Sequence, residues 1–78
     1  RTKADRARQV AVKKRMALLE QKMEENEQTI AELSAKMGEP QIAADYQKVQ
    51  EICEQIEQLK NDNEAYGEEW LELSEEEQ

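Results

Sequence analysis

The chain has 78 residues, 38% of them charged, with neither Phe nor His and a formal net charge of −8. At a mean hydropathy of −1.09 it makes at most one small domain and cannot fill a three-dimensional core. It can fill a one-dimensional seam, since two paired helices need only about two apolar residues per heptad.

The charge is divided along the chain. Residues 1–15 hold Arg1, Lys3, Arg6, Arg8, Lys13, Lys14 and Arg15 against Asp5 alone, a net of +6, while residues 16–78 hold four lysines against eighteen acids, a net of −14. A basic arm therefore leads into an acidic segment. We divide the chain into residues 1–12, a basic linker and start of the first helix, and residues 13–77, a helical hairpin.

The first helix is predicted over about residues 5–37. Val12, Met16, Leu19, Met23, Ile30, Leu33 and Met37 alternate in steps of four and three, with Asn26 as the one polar member. That rhythm keeps a narrow stripe facing a partner helix, the signature of a coiled coil. Disordered chains of similar composition do not sustain such a repeat. Gly38 and Pro40 end the helix, Gly38 as a left-handed C′ residue and Pro40 as a bar to continuation.

Residues 38–45 are expected to form an irregular tip, with Asp45 as N-cap of a second helix over about residues 46–74. A shorter turn, with Pro40 opening the second helix, is the alternative. The return stripe is Val49, Ile52, Ile56, Leu59, Tyr66, Trp70 and Leu73, with Asn63 as its polar member. The fold class is thus all-α, a two-helix antiparallel coiled-coil hairpin about 48 Å long at 1.5 Å per residue. A tip centred near residue 41 pairs positions that sum to about 82. Leu33 then faces Val49, Asn26 faces Ile56, Leu19 faces Asn63 and Val12 faces Trp70. A tight turn would set Trp70 against Gln9, so the register that gives it an apolar partner is preferred. In neither alignment do the two asparagines meet. They either penalise slipped registers or are tolerated near solvent. Tyr66 and Trp70 are expected to staple the open end rather than form an exposed patch. Gly67 should cost about 1 kcal/mol relative to Ala and mark a bend. The acidic run after Leu73 opposes the helix macrodipole and should fray from about residue 74.

Chemistry is conspicuously absent. Without His, and with Gly38 and Gly67 as the only glycines, no phosphate-binding glycine loop and no zinc site of the usual nitrogen and sulfur ligands can be built. The pairs Glu24-Glu25 and Glu68-Glu69 read as solvated helix faces rather than acid–base machinery. Cys53 reads as a small hydrophobe at the seam's edge, since no cation stands by to activate the thiol. A lone cysteine fits a reducing compartment, and no apolar run reaches the ~20 residues that span a bilayer. No catalytic, cofactor-binding or metal-binding residue is expected. The basic arm carries the one chemical direction. Arg6, Arg8, Lys13, Lys14 and Arg15 can neutralise phosphates, without the aromatic residues that would stack on bases. Such contacts would be to backbone and weakly sequence-specific. Alternatively, the same cations satisfy the chain's own Glu68–Glu77 end, which folding back would bring near Arg6–Lys14.

The basic lead-in, the heptad Leu19-Glu20-Gln21-Lys22-Met23-Glu24-Glu25, the Pro-containing tip followed by Ala43-Ala44-Asp45-Tyr46, and the closing Tyr66-x-x-x-Trp70-Leu71-Glu72-Leu73 together resemble the C-terminal coiled-coil domain of ABC-F ATPases. The bacterial Uup-type branch is the nearest comparison, and the likeness covers most of residues 13–77. It implies a cytoplasmic parent with two ATP-binding cassettes that use ATP and Mg²⁺, no membrane domain, and work on ribosomes or translation. The hairpin would be a noncatalytic appendage engaging ribosomal RNA or DNA, or the ribosome. A chain that starts at Arg1 rather than Met fits a piece of a longer protein or a processed chain. Family members whose hairpin binds nucleic acid look more basic along it, which leaves the arm as the candidate surface here. The resulting expectation is a monomeric interaction module with no enzymatic activity of its own. A structural coiled coil that associates with another copy or a protein partner is the alternative.

Overall fold

A computed structural model describes residues 2–77, with side chains through Glu76. Arg1 and Gln78, assigned above to the basic arm and the acidic tail, lie outside the described residues. Three helices follow in order: α1 (Lys3–Met37), α2 (Pro40–Ala43) and α3 (Tyr46–Glu77). The two long helices run antiparallel against each other in a rod of 61 × 14 × 14 Å. Among the described residues no helix is long and apolar enough to cross a membrane.

Helix α1 begins at Lys3, two residues before the predicted start, because Thr2 and Asp5 form a reciprocal cap. The Asp5 amide donates to Thr2 Oγ1 and the Thr2 amide donates to the Asp5 carboxylate, each at 3.2 Å. Two otherwise orphaned donors are satisfied in this way.

The end of α1 corrects the expectation of a left-handed glycine. Gly38 sits in the right-handed region at φ −80°, ψ −11°. The helix closes instead by tightening, with the Gly38 amide on the Ala35 carbonyl at 3.1 Å and the Glu39 amide on the Lys36 carbonyl at 3.0 Å. Glu39 then turns extended at φ −72°, ψ 132°, as the residue before a proline is driven to do by the pyrrolidine ring. Pro40 opens the single turn of α2, where its missing N–H costs nothing. The tip is therefore not irregular throughout, as expected, but holds one helical turn. Asp45 does cap the return helix, accepting from the Lys48 amide at 3.3 Å.

Both stripes lie where the spacing places them. Val12, Leu19, Ile52 and Ile56 are buried, Leu19 completely. Every other stripe position is at least half-buried, Asn26 and Asn63 included. The core is a single file of side chains between two helices.

The register is not the predicted one. Asn26 Nδ2 donates to Asn63 Oδ1 at 2.9 Å, so facing positions sum to 89, one heptad beyond the expected alignment. Cys53 Sγ lies 3.7 Å from Met37 Sδ, and the Trp70 indole donates to Glu20 Oε1 at 3.0 Å, both consistent with this offset. Trp70 thus sits level with Leu19 and Glu20, not over Val12 as expected. The reason is the tip. Because α2 carries the chain onward past α1, it reverses at Ala44–Asp45 rather than at Gly38–Pro40. The stretch of α3 before Cys53, about 10 Å of helix at 1.5 Å per residue, lies beyond the end of α1. This overhang also explains why the rod exceeds the expected 48 Å.

Helix α3 is continuous through Gly67 and reaches Glu77. The expected fraying from residue 74 is absent from the described residues. A methyl group at Gly67 would lie 4.0 Å from Met23 Sδ, an ordinary contact.

Candidate nucleic-acid interface

The residues with a chemical direction all lie on the first third of α1. An α-helix advances about 100° per residue, so positions seven apart nearly superpose. Arg8 and Arg15 therefore form one row, flanking the seam on one side, while Arg6 and Lys13 form a second row nearly opposite. Lys14 points away from α3. The five cations predicted as a group are split around the helix and do not make a single surface.

The row of Arg8 and Arg15 faces a row of acids on α3. Arg8 Nη2 is 2.6 Å from Glu76 Oε1. Arg15 holds Glu69 with both arms of its guanidinium, Nε to Oε2 at 2.6 Å and Nη2 to Oε1 at 3.0 Å. Such a fork is the strongest geometry open to an arginine and a carboxylate. The two acids are seven apart, as are the two arginines, so the pairs form consecutive rungs of one ladder beside the seam. The Arg15 side chain is 42% exposed and that of Glu69 38%, and those of Arg8 and Glu76 are 66% and 43% exposed. All four remain within reach of water and of a competing ion.

The electrostatics of the inner rung follow from its geometry. The hydrogen bond and charge of Arg15 hold the Glu69 carboxyl below its usual value, with a smaller contribution from Lys22. The same hydrogen bond and the Glu69 charge raise the Arg15 guanidinium further. Lys22 continues the arginine row toward the tip, its ammonium 5.5 Å from the centre of the Tyr66 ring, within the range of a cation–π contact.

Among the described residues no ion pair engages Arg6, Lys13 or Lys14. In the observed register the flank position of α3 nearest to Lys13 is the uncharged Ser74. The cations paired with the acidic helix and those without an ion pair among the described residues are thus different residues. No cluster of groups able to hold a metal occurs among the described residues. No buried polar side-chain atom there lacks a partner. Cys53 is an exposed free thiol beside the Met37 thioether.

Two residues escaped the sequence reading as a functional pair. Asn26 and Asn63 join across the seam, and the Asn63 amide also donates to the Met23 carbonyl at 3.1 Å. The signal was there, because each is the one polar member of its stripe and a pairing of like with like satisfies both.

A family model described as the ABC transporter C-terminal domain matches residues 9–75 of the chain. No curated protein matches, and no solved structure does.

Proposed function

Because the chain belongs to the ABC transporter C-terminal domain family, we propose that it is the noncatalytic hairpin of an ABC-F-type ATP-binding protein and helps its parent engage ribosomal RNA or DNA. ATP and Mg²⁺ would belong to the parent's cassettes, since no residue here offers a phosphate-binding loop. The setting would be the cytoplasm, at or near the ribosome.

The observation that supports the nucleic-acid reading is the concentration of cations at the open end of the rod. Seven of the chain's eleven Lys and Arg residues fall in the first fifteen. Arg6, Lys13 and Lys14 are exposed and make no ion pair among the described residues, so they are the first to meet a phosphate backbone. Arg8 and Arg15 reach phosphate only by leaving Glu76 and Glu69. The acidic remainder of the hairpin repels nucleic acid and would confine contact to this end. A monomer is part of this reading, supported by the cover that α3 gives to the α1 stripe.

The test is binding of labelled duplex DNA and of a ribosomal RNA fragment, followed by anisotropy as salt is raised. Three phosphate contacts predict a log–log salt slope of about −2.7 on duplex DNA. Reversing Arg6, Lys13 and Lys14 to Glu should abolish binding. Binding that survives both the reversal and high salt refutes the reading. Sedimentation over a concentration series tests the monomer, which keeps its mass where an intermolecular coil grows.

A further inference from the structure

The contacts between the arginine row of α1 and the end of α3 have a regulatory consequence, resting on the nucleic-acid reading above. We propose that Glu69 and Glu76 act as an internal competitor for phosphate, so that the acidic end of α3 holds Arg8 and Arg15 in reserve and gates the basic end of the hairpin. Three features carry this. The carboxylate of Glu69 occupies both donors of the Arg15 fork, the geometry in which an arginine takes a phosphate. Glu69 and Glu76 stand two helical turns apart, about 10 Å, and hold Arg15 and Arg8 as one row on a single flank of α1, where one polyanion can meet both. Both pairs stay partly open to solvent, so a polyanion can replace the carboxylates without first opening the seam.

A hairpin built this way has two binding modes. With the ladder closed, only the Arg6, Lys13 and Lys14 side meets phosphate. With the ladder open, Arg8 and Arg15 join, and the acids that masked them must swing aside. Exchange between the modes is a competition of anions for two guanidinium groups, and it involves neither helix unfolding nor any change at the Asn26–Asn63 pair.

The experiment compares the wild-type chain with Glu69→Gln/Glu76→Gln and with Glu24→Gln/Glu32→Gln. The last changes the net charge equally but on residues outside the ladder. Duplex DNA and an RNA hairpin are titrated separately, and circular dichroism checks that all three chains are equally helical. Releasing the arginines should tighten binding at least about tenfold beyond the control and steepen the duplex salt slope by about 1.8, the value for two further phosphates. Equal tightening in both variants would mean that only net charge matters and would overturn the gate. No tightening, in a chain whose binding still fails on reversal of Arg6, Lys13 and Lys14, would overturn the gate and leave the nucleic-acid reading standing. If neither the wild type nor the released variant binds either nucleic acid, both fall together.

Discussion

Replacing Asn26 and Asn63 by Ala, singly and together, should expose the interaction that fixes the register. In each single variant the surviving amide loses its partner at 2.9 Å inside a seam of Leu, Ile and Met. An unsatisfied buried amide costs about 1–3 kcal/mol, and the half-burial of both residues points to the lower part of that range. The Asn63 donation to the Met23 carbonyl survives in Asn26→Ala, so this variant should suffer less than Asn63→Ala. Helix propensity and side-chain transfer change in the single variants too, but they cancel in the cycle, leaving a coupling energy of about 1–2 kcal/mol. Thermal and urea unfolding, followed by circular dichroism, measure it. A register readout accompanies the energetics. Cys53 Sγ is 3.7 Å from Met37 Sδ, so Met37→Cys should close an intramolecular disulfide under mild oxidation. Ile30→Cys, which takes the place of Met37 opposite Cys53 in the alignment one heptad away, should not. Removing both asparagines by Leu should let some Ile30→Cys product appear, because the penalty for that slip is gone. Coupling below about 0.3–0.5 kcal/mol, the limit for independent sites, would refute the argument. So would efficient closure of Ile30→Cys in the chain with both asparagines intact.

Two further outcomes follow from single positions. Gly67→Ala should stabilise the hairpin by up to about 1 kcal/mol, through helix propensity and a stiffer unfolded chain, because the new methyl meets Met23 Sδ at an ordinary 4.0 Å. A raised melting temperature checks it, and a fall would mean that the thioether has no room to share. The Glu69 carboxyl titrates below its usual 4.5 in the folded state, so its contribution to stability is present above that value and fades as pH falls through the lowered one. The melting-temperature difference between the wild type and Glu69→Gln should therefore be constant near neutrality and vanish in acid.

Much of the candidate interface was legible before the fold was known. The cations are named by the sequence, and their spacing of seven already separates Arg8 and Arg15 from Arg6 and Lys13 once the heptad phase is fixed. Their partners were less accessible. A slip of one heptad would exchange Glu76 and Glu69 for Glu69 and Asp62, which are still acids opposite arginines, so charge complementarity does not choose between the alignments. The asparagines do choose, because the same slip puts each of them against an apolar residue.

The sequence alone determined the two stripes, the break between them and the division of charge, because each depends only on residue type and short-range spacing. The tertiary structure decided which heptad faces which. A repeat of seven looks the same after a shift of seven, so periodicity specifies a face and leaves the position along it open. That position depended on how far the chain travels before it reverses. The answer lay in the single turn of α2, started by Pro40 and ended before the Asp45 cap, and in two amides, Asn26 and Asn63, that are satisfied together only at one offset.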